Sequence, residues 1–168
     1  IDETLPKMCK AIKEIMSQHN EKGIIHTHTS KIANYIKDNI RSDRLILAES
    51  LERDLMLEKH IKSKKNTILL TPSMSEGVDL KNDLSRFQII CKVPFPYLGD
   101  KMCRKKMNKW KWWYSFQTTK TLIQSVGRSI RNEDDYAMTY ILDSDWGYFI
   151  KNNSDKFPDN FFISYLEI

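Results

Sequence analysis

The stretch QSVGRSIRNEDDY, Gln124 to Tyr136, holds three side chains suited to a phosphate-rich ligand. On a helix, Gln124, Arg128 and Arg131 follow i, i+4, i+7 and share one face. An arginine fork grips two oxygens and keeps its charge at any physiological pH. The competing reading is a solvated stripe in which Glu133, Asp134 and Asp135 pair with the arginines and contribute little. Gly127 weighs against it. A glycine inside a helix costs about 1 kcal/mol relative to alanine, so its place beside Arg128 implies a close approach of backbone or ligand.

A second polar stretch, Thr71-Pro72-Ser73-Met74-Ser75-Glu76-Gly77-Val78-Asp79, follows a buried-looking run, Thr67 to Thr71. It offers hydroxyls, a glycine that lets backbone come near a ligand, and carboxylates at Glu76 and Asp79. One reading is a polar turn. The other is a loop that meets nucleic-acid phosphate through its hydroxyls and amides, and a ribose or metal-bound water through Asp79. A third stretch, Lys101 to Tyr114, has six basic residues and no acid, with Trp110, Trp112 and Trp113 near its end. That pattern makes an electrostatic track with stacking platforms, with Lys105 and Lys109 on it. Yet Cys103, Met107, Trp110 and Tyr114 recur at helical spacing, which predicts a buried stripe for the aromatics. His26 and His28 form an HxH on one face of a strand; with no third ligand placed, packing is the expected role. Cys9, Cys91 and Cys103 have no CxxC spacing, which disfavours a disulfide framework or a zinc site and fits a reducing, intracellular setting.

The elements that must position these residues alternate. Helical patterning spans Pro6 to His19, and Gly23 to Thr27 reads as a strand. Thr29 or Ser30 caps a helix from Lys31 to Asn39. A strand at Leu45 to Ala48 precedes a helix capped by Ser50 and running to about Lys64. Strands follow at Thr67 to Thr71 and at Phe87 to Val93, the latter closed by Pro94 and Pro96. A basic helix spans about Asp100 to Tyr114, and another about Thr119 to Arg131. Met138 to Leu142 is the last strand and Asp145 to Asn152 the last helix. The aromatic tail, Phe157 to Ile168, fits the sheet edge or a further domain. This order argues for an α/β fold, a parallel sheet with helices on both faces. Ligands of such sheets sit beyond the carboxyl ends of the strands. That rule selects His26 to Ser30, Thr71 to Asp79, and the segment around Asp143.

The 168 residues suffice for one domain with a core, and 40% of them are hydrophobic, ordinary for a globular chain. No apolar run approaches the ~18 residues that span a bilayer, and no leader pattern opens the chain. The net charge of +5 permits nucleic-acid binding without demanding it. Because the chain starts at Ile1 and not at Met, it reads as a fragment of a longer chain.

EGVD after a strand, followed further along by QxxGRxxR, resembles the second motor domain of superfamily 2 helicases. The sharper resemblance is to the DinG and XPD-type group. Val93-Pro94-Phe95-Pro96 at the end of the next strand, Gly99-Asp100, and Glu133-Asp134-Asp135-Tyr136 after the last arginine all agree with it. The resemblance spans roughly Gly23 to Asp145. It implies a RecA-like domain, with ATP and Mg2+ shared with a first motor domain on the same chain and single-stranded DNA as partner. In that frame Arg131 is the arginine finger, Arg128 assists, and Gln124 positions the attacking water or the phosphate. Glu76, Gly77 and Asp79 lie near the ribose and the magnesium shell. Thr27, Thr29 and Ser30, with Thr71 and Ser73, meet the single strand. Members of the group often hold an iron–sulfur cluster in the other motor domain; none is expected in this chain. The five glycines do not form G-x-x-x-x-G-K-[ST], and no Asp-Glu-x-His box occurs. The chain alone is therefore expected to be inactive on ATP. The alternative is a non-enzymatic nucleic-acid-binding module derived from a motor half.

Overall fold

The computed structural model describes residues 4–49, 51–72, 80, 82–129, 135–159 and 161, without the side chain of Arg128. Its elements run α1 (Thr4–Gln18), β1 (Gly23–His26), α2 (Ser30–Asn39), β2 (Leu45–Leu47), α3 (Arg53–Lys62), β3 (Ile68–Thr71), β4 (Phe87–Ile90), α4 (Lys101–Lys109), α5 (Trp113–Val126), β5 (Met138–Ile141) and α6 (Asp145–Asn153). The strands form one sheet in the order β2-β3-β1-β4-β5, and every pairing is parallel.

Side chains alternate across this sheet, so each strand feeds two cores. Ile25, Ile68, Leu70, Phe87 and Ile89 face α1 and α2, where Ile12 and Ile36 are fully buried. Ile24, Leu69 and Ile46 face α3 and Leu80. Ile90 meets Leu122 of α5 and Trp146, Phe149 and Phe157 on the same side. This doubly covered parallel sheet is the expected architecture. The start of the aromatic tail packs on α6, with Phe157 6.0 Å from Trp146 and 4.7 Å from Phe161, centroid to centroid. Residues 162–168 lie outside the described ones. Among the described residues no helix is long and apolar enough to cross a membrane.

Two polar side chains brace the amino edge of the sheet. Arg44 donates to the carbonyls of Met16, His19, Glu21 and Asn66 at 2.8–3.1 Å, which satisfies orphan carbonyls where α1 ends. Lys22 Nζ donates to the His60 carbonyl at 2.6 Å. The His60 ring is fully buried. Its Nε2 stands 2.8 Å from the Leu84 carbonyl and so carries the hydrogen; its Nδ1 accepts from the Thr67 hydroxyl at 2.8 Å. Burial, and then the Lys22 charge, hold this imidazole below its ordinary pKa against the opposing Leu84 bond. The unfolded ring takes its proton near pH ~6.5; the folded one resists until the pH is lower. The contribution is therefore complete above the unfolded value and is lost as the pH falls. Urea midpoints measured from pH 8 down to pH 5 are expected to decline less steeply in His60→Gln than in the parent chain.

Candidate functional site

The carboxyl edge carries the loop after β1. Thr27 is fully buried, its amide donating to the Thr71 carbonyl at 2.9 Å. Its hydroxyl donates to the carbonyls of Thr29 and Thr71 at 3.0 and 3.3 Å. Thr71 is buried as well. These two expected nucleic-acid contacts therefore face inward and hold the loop. Thr29 and Ser30 are exposed, at the start of α2, and the Thr29 hydroxyl caps the helix by accepting from the Ile32 amide at 3.3 Å. Ser73 lies outside the described residues, as do Glu76, Gly77 and Asp79.

His26 and His28 do not share a strand face. β1 ends at His26, and His28 follows in the left-handed region at φ 66°. That conformation is uncommon for a side-chain-bearing residue. It turns His28 toward Lys92, the Phe95 carbonyl and Asp143. Desolvation, then Lys92, lowers its pKa against the Phe95 bond and Asp143. Asp143 itself accepts from the Val93 amide at 2.8 Å and the Asp145 amide at 3.2 Å, tying the ends of β4 and β5 together.

The basic segment departs from its expected form. Asp100 caps α4 by accepting from the amides of Met102 and Cys103 at 2.6 and 3.3 Å. The helix stops at Lys109, and α5 begins at Trp113, well before Thr119. The turn between them lets the Tyr114 ring stack on Phe95 at 5.8 Å while Trp112 meets Phe116 edge-on at 5.6 Å. No residue of α4 is buried. The expected buried stripe is only partly formed: Cys103, Met107 and Tyr114 are half-buried, but Trp110 is 40% exposed, and Trp112, off that stripe, is 57% exposed. Lys109 Nζ lies 4.8 Å from the Trp110 ring centroid, and Lys106 Nζ 5.4 Å from that of Trp113, both cation–π distances. Lys105 and Lys109 are exposed.

The arginine stretch lies at the other edge. Gln124 is exposed in the last turn of α5. Gly127 is not inside the helix but caps it, at φ −70°. A Cβ built there meets nothing within 4 Å, so no close approach of backbone is found there among the described residues. A short 3-10 turn, Gly127–Ser129, follows. The Arg128 side chain, Arg131 and Glu133 fall outside the described residues, so the expectation of solvent-facing arginines held by Glu133 lies there too. Asp135 does not pair with the arginine stripe through its buried bond: its Oδ1 accepts from Arg86 Nη1 at 2.5 Å. Burial opposes ionisation of Asp135, but the Arg86 bond and the amides of Asn82 and Tyr136 hold its carboxyl below the ordinary value.

Three side chains just before or at the start of β4 touch this stretch, although no motif marks them. Ser129 Oγ donates to Ser85 Oγ at 2.9 Å. Gln88 Nε2 donates to the Val126 carbonyl at 3.0 Å and to Thr139 Oγ1 at 2.8 Å. Arg86 reaches Asp83 and the Tyr136 carbonyl besides Asp135. The signal available in the sequence was a lone amide inside the apolar strand FQII. The strand-end rule therefore locates the Thr27 to Ser30 loop but not the arginine stretch, which sits by the amino end of β4.

A family of helicase C-terminal domains matches residues 12–161. The DinG helicase of Photobacterium profundum, described as an ATP-dependent DNA helicase, is 34% identical over 128 residues, covering 68% of this chain and 18% of that protein. The XPD helicase subunit of the general transcription and DNA repair factor IIH of Dictyostelium discoideum is 26% identical, covering 84% and 19%. The chain thus spans less than a fifth of these relatives. Among solved structures, Xpd4 of S. tokodaii superimposes with a TM-score of 0.70 at 16% identity, over 91% of this chain and 33% of that one. The C-terminal domain of the S. cerevisiae DEAD-box protein Dbp5 does so at 0.60 and 15%, over 90% and 81%. With the parallel sheet and the ordered motifs, these matches show that the chain belongs to the helicase C-terminal domain family, as the second RecA-like motor domain of a DinG/XPD-type superfamily 2 helicase.

Proposed function

We propose that the chain supplies half of an ATP site and part of a single-stranded DNA track in an ATP-dependent DNA helicase or translocase. The observation that carries this reading is the pairing of QxxGRxxR with a helicase-type fold that has no G-x-x-x-x-G-K-[ST] phosphate cradle of its own. A charge-gripping stripe without a cradle suits a site completed by a first motor domain. ATP and Mg2+ are shared between the two domains, and the nucleotide supplies the labile γ-phosphoryl group. Arg131 meets the charge that develops on that group, Arg128 assists, and Gln124 orients the water or a phosphate oxygen. Glu76, Gly77 and Asp79 approach the ribose and the metal's water shell. The open space beside Gly127 and the exposure of Gln124 fit a ligand presented from outside this chain.

The DNA track divides by burial. Thr29, Ser30 and Ser73 are the contact candidates of the carboxyl edge, and Thr27 and Thr71 shape it. On α4, Lys105 and Lys109 attract the backbone, and the exposed Trp110 and Trp112 offer faces on which bases stack, worth about 1–3 kcal/mol each. Any iron–sulfur cluster belongs to the remainder of the full protein.

The test compares this chain with the longer protein that contains its first motor domain. Single-stranded DNA is expected to stimulate ATP turnover by the longer protein, while the chain alone, which lacks the phosphate cradle, shows no turnover above background. Equal turnover by the isolated chain would reject the shared site. Tight DNA binding by the longer protein with no turnover would establish the non-enzymatic binding module instead.

A further inference from the structure

We propose that Ser85, Arg86 and Gln88 are positioning residues that fix the arginine stretch on the start of β4, with Arg86 coupling it to the segment that follows EGVD. The inference rests on the finger reading of Arg131 given above.

The contacts bracket the arginines. Gln88 holds the stretch at Val126, Ser85 at Ser129 and Arg86 at Asp135 and Tyr136. Arg131 lies between the second and third anchors. Most anchors are buried: Gln88 and Ser85 are 0% exposed, Ser129 is 1%, the Asp135 side chain 2% and that of Arg86 15%, while Tyr136 is exposed. Buried polar groups of this kind are costly unless bonded, so a shift of the stretch along β4 would break several bonds at once.

Arg86 does more than close one end. Its Nε and Nη2 donate to Asp83 Oδ1 at 3.1 and 2.8 Å, while its Nη1 donates to Asp135 Oδ1 and to the Tyr136 carbonyl. The guanidinium also lies 4.6 Å from the centroid of the Tyr136 ring. Asp83 belongs to the 3-10 turn Asn82–Leu84, reached directly from the EGVD segment; Asp135 follows the arginines. One planar cation therefore spans the two segments that face the shared nucleotide. All three of its nitrogens are used in two directions, which a lysine cannot reproduce.

Stability alone explains this poorly. A buried ion pair often contributes no more than apolar residues of the same volume. Placement explains it better, because a misplacement of about 1 Å at a catalytic centre costs on the order of 10²-fold in rate. An anchor on each side of Arg131 restricts that error.

The experiment uses the protein with both motor domains and measures ATP turnover with saturating single-stranded DNA. Arg86→Ala and Asp135→Asn are each expected to lower kcat about 10- to 100-fold, with little change in the KM for ATP or in DNA affinity. The asparagine variant keeps the side-chain shape and serves if Arg86→Ala does not fold. Combining either with Arg131→Ala is expected to add nothing to the loss from Arg131→Ala alone, since the anchors act through that arginine. Losses that multiply would overturn the proposal, as would parental kcat in both anchor variants while Arg131→Ala is impaired. Parental turnover in Arg131→Ala would instead remove the finger reading, and this inference with it.

Discussion

Arg131→Lys, in the protein carrying both motor domains, is expected to lower DNA-stimulated ATP turnover by about 10³-fold, the lower end of what an arginine finger contributes. The substitution keeps the charge, and that is its value. If Arg131 were one cation in a solvated stripe, lysine would serve as well. A transferring phosphoryl group spreads charge over several oxygens, and a planar fork can meet two at once where an ammonium meets one. A loss of 10³ corresponds to about 4 kcal/mol of transition-state stabilisation. It should fall on kcat, because the contact tightens as charge develops rather than when ATP first binds. Single-stranded DNA affinity should stay near the parental value, since the candidate DNA contacts after β1 lie at the opposite edge of the sheet. Unchanged turnover would return QSVGRSIRNEDDY to the solvated-stripe reading.

That separation of edges was only half legible in the sequence. Apolar runs such as Ile68 to Leu70 announced buried parallel strands, and the strand-end rule pointed to Thr27 through Ser30. The rule gave no reason to place Arg128 at the amino edge, because that placement depends on α5 running back across the sheet to Val126. The connection from β3 to β4 must also cross from one edge to the other, as parallel strands require. It passes Leu80, buried against Ile24 and Leu69, before the turn that holds Asp83. The segment carrying EGVD therefore joins the candidate DNA edge to the arginine anchors.

Other misreadings share one physical cause: periodicity describes a helix face but not what covers it. Cys103, Met107 and Trp110 keep helical spacing, yet α4 packs mainly along α5, with no residue fully buried, and leaves Trp110 wet. The spacing puts Gly127 inside a helix, whereas it ends one. The Arg86–Asp135 bond spans 49 positions of sequence, and nothing local marks either partner for the other. Chemistry fixed by distant pairing is the part that a motif search leaves out.

Phe87→Ala is expected to destabilise the fold by about 3–5 kcal/mol, a large share of the ~5–15 kcal/mol that holds a domain together. Phe87 is fully buried where β4 pairs with Gly23 of β1. Its ring stacks on His19 at 4.5 Å and 14°, and His19 Nε2 lies 2.8 Å from the Tyr140 hydroxyl on β5. Losing the ring thus opens a void between α1 and the sheet and withdraws the support of the His19–Tyr140 bond. A Cβ at Gly23 would come within 2.5 Å of the Phe87 ring, so Gly23→Ala should itself destabilise the parent chain. In the Phe87→Ala background the obstruction is gone. There the alanine should be neutral or stabilising, because glycine within a strand costs roughly 0.5–1 kcal/mol relative to alanine. Urea unfolding of the four chains in this cycle measures the coupling. Additive effects of the two substitutions would mean that the glycine is not there to seat the ring.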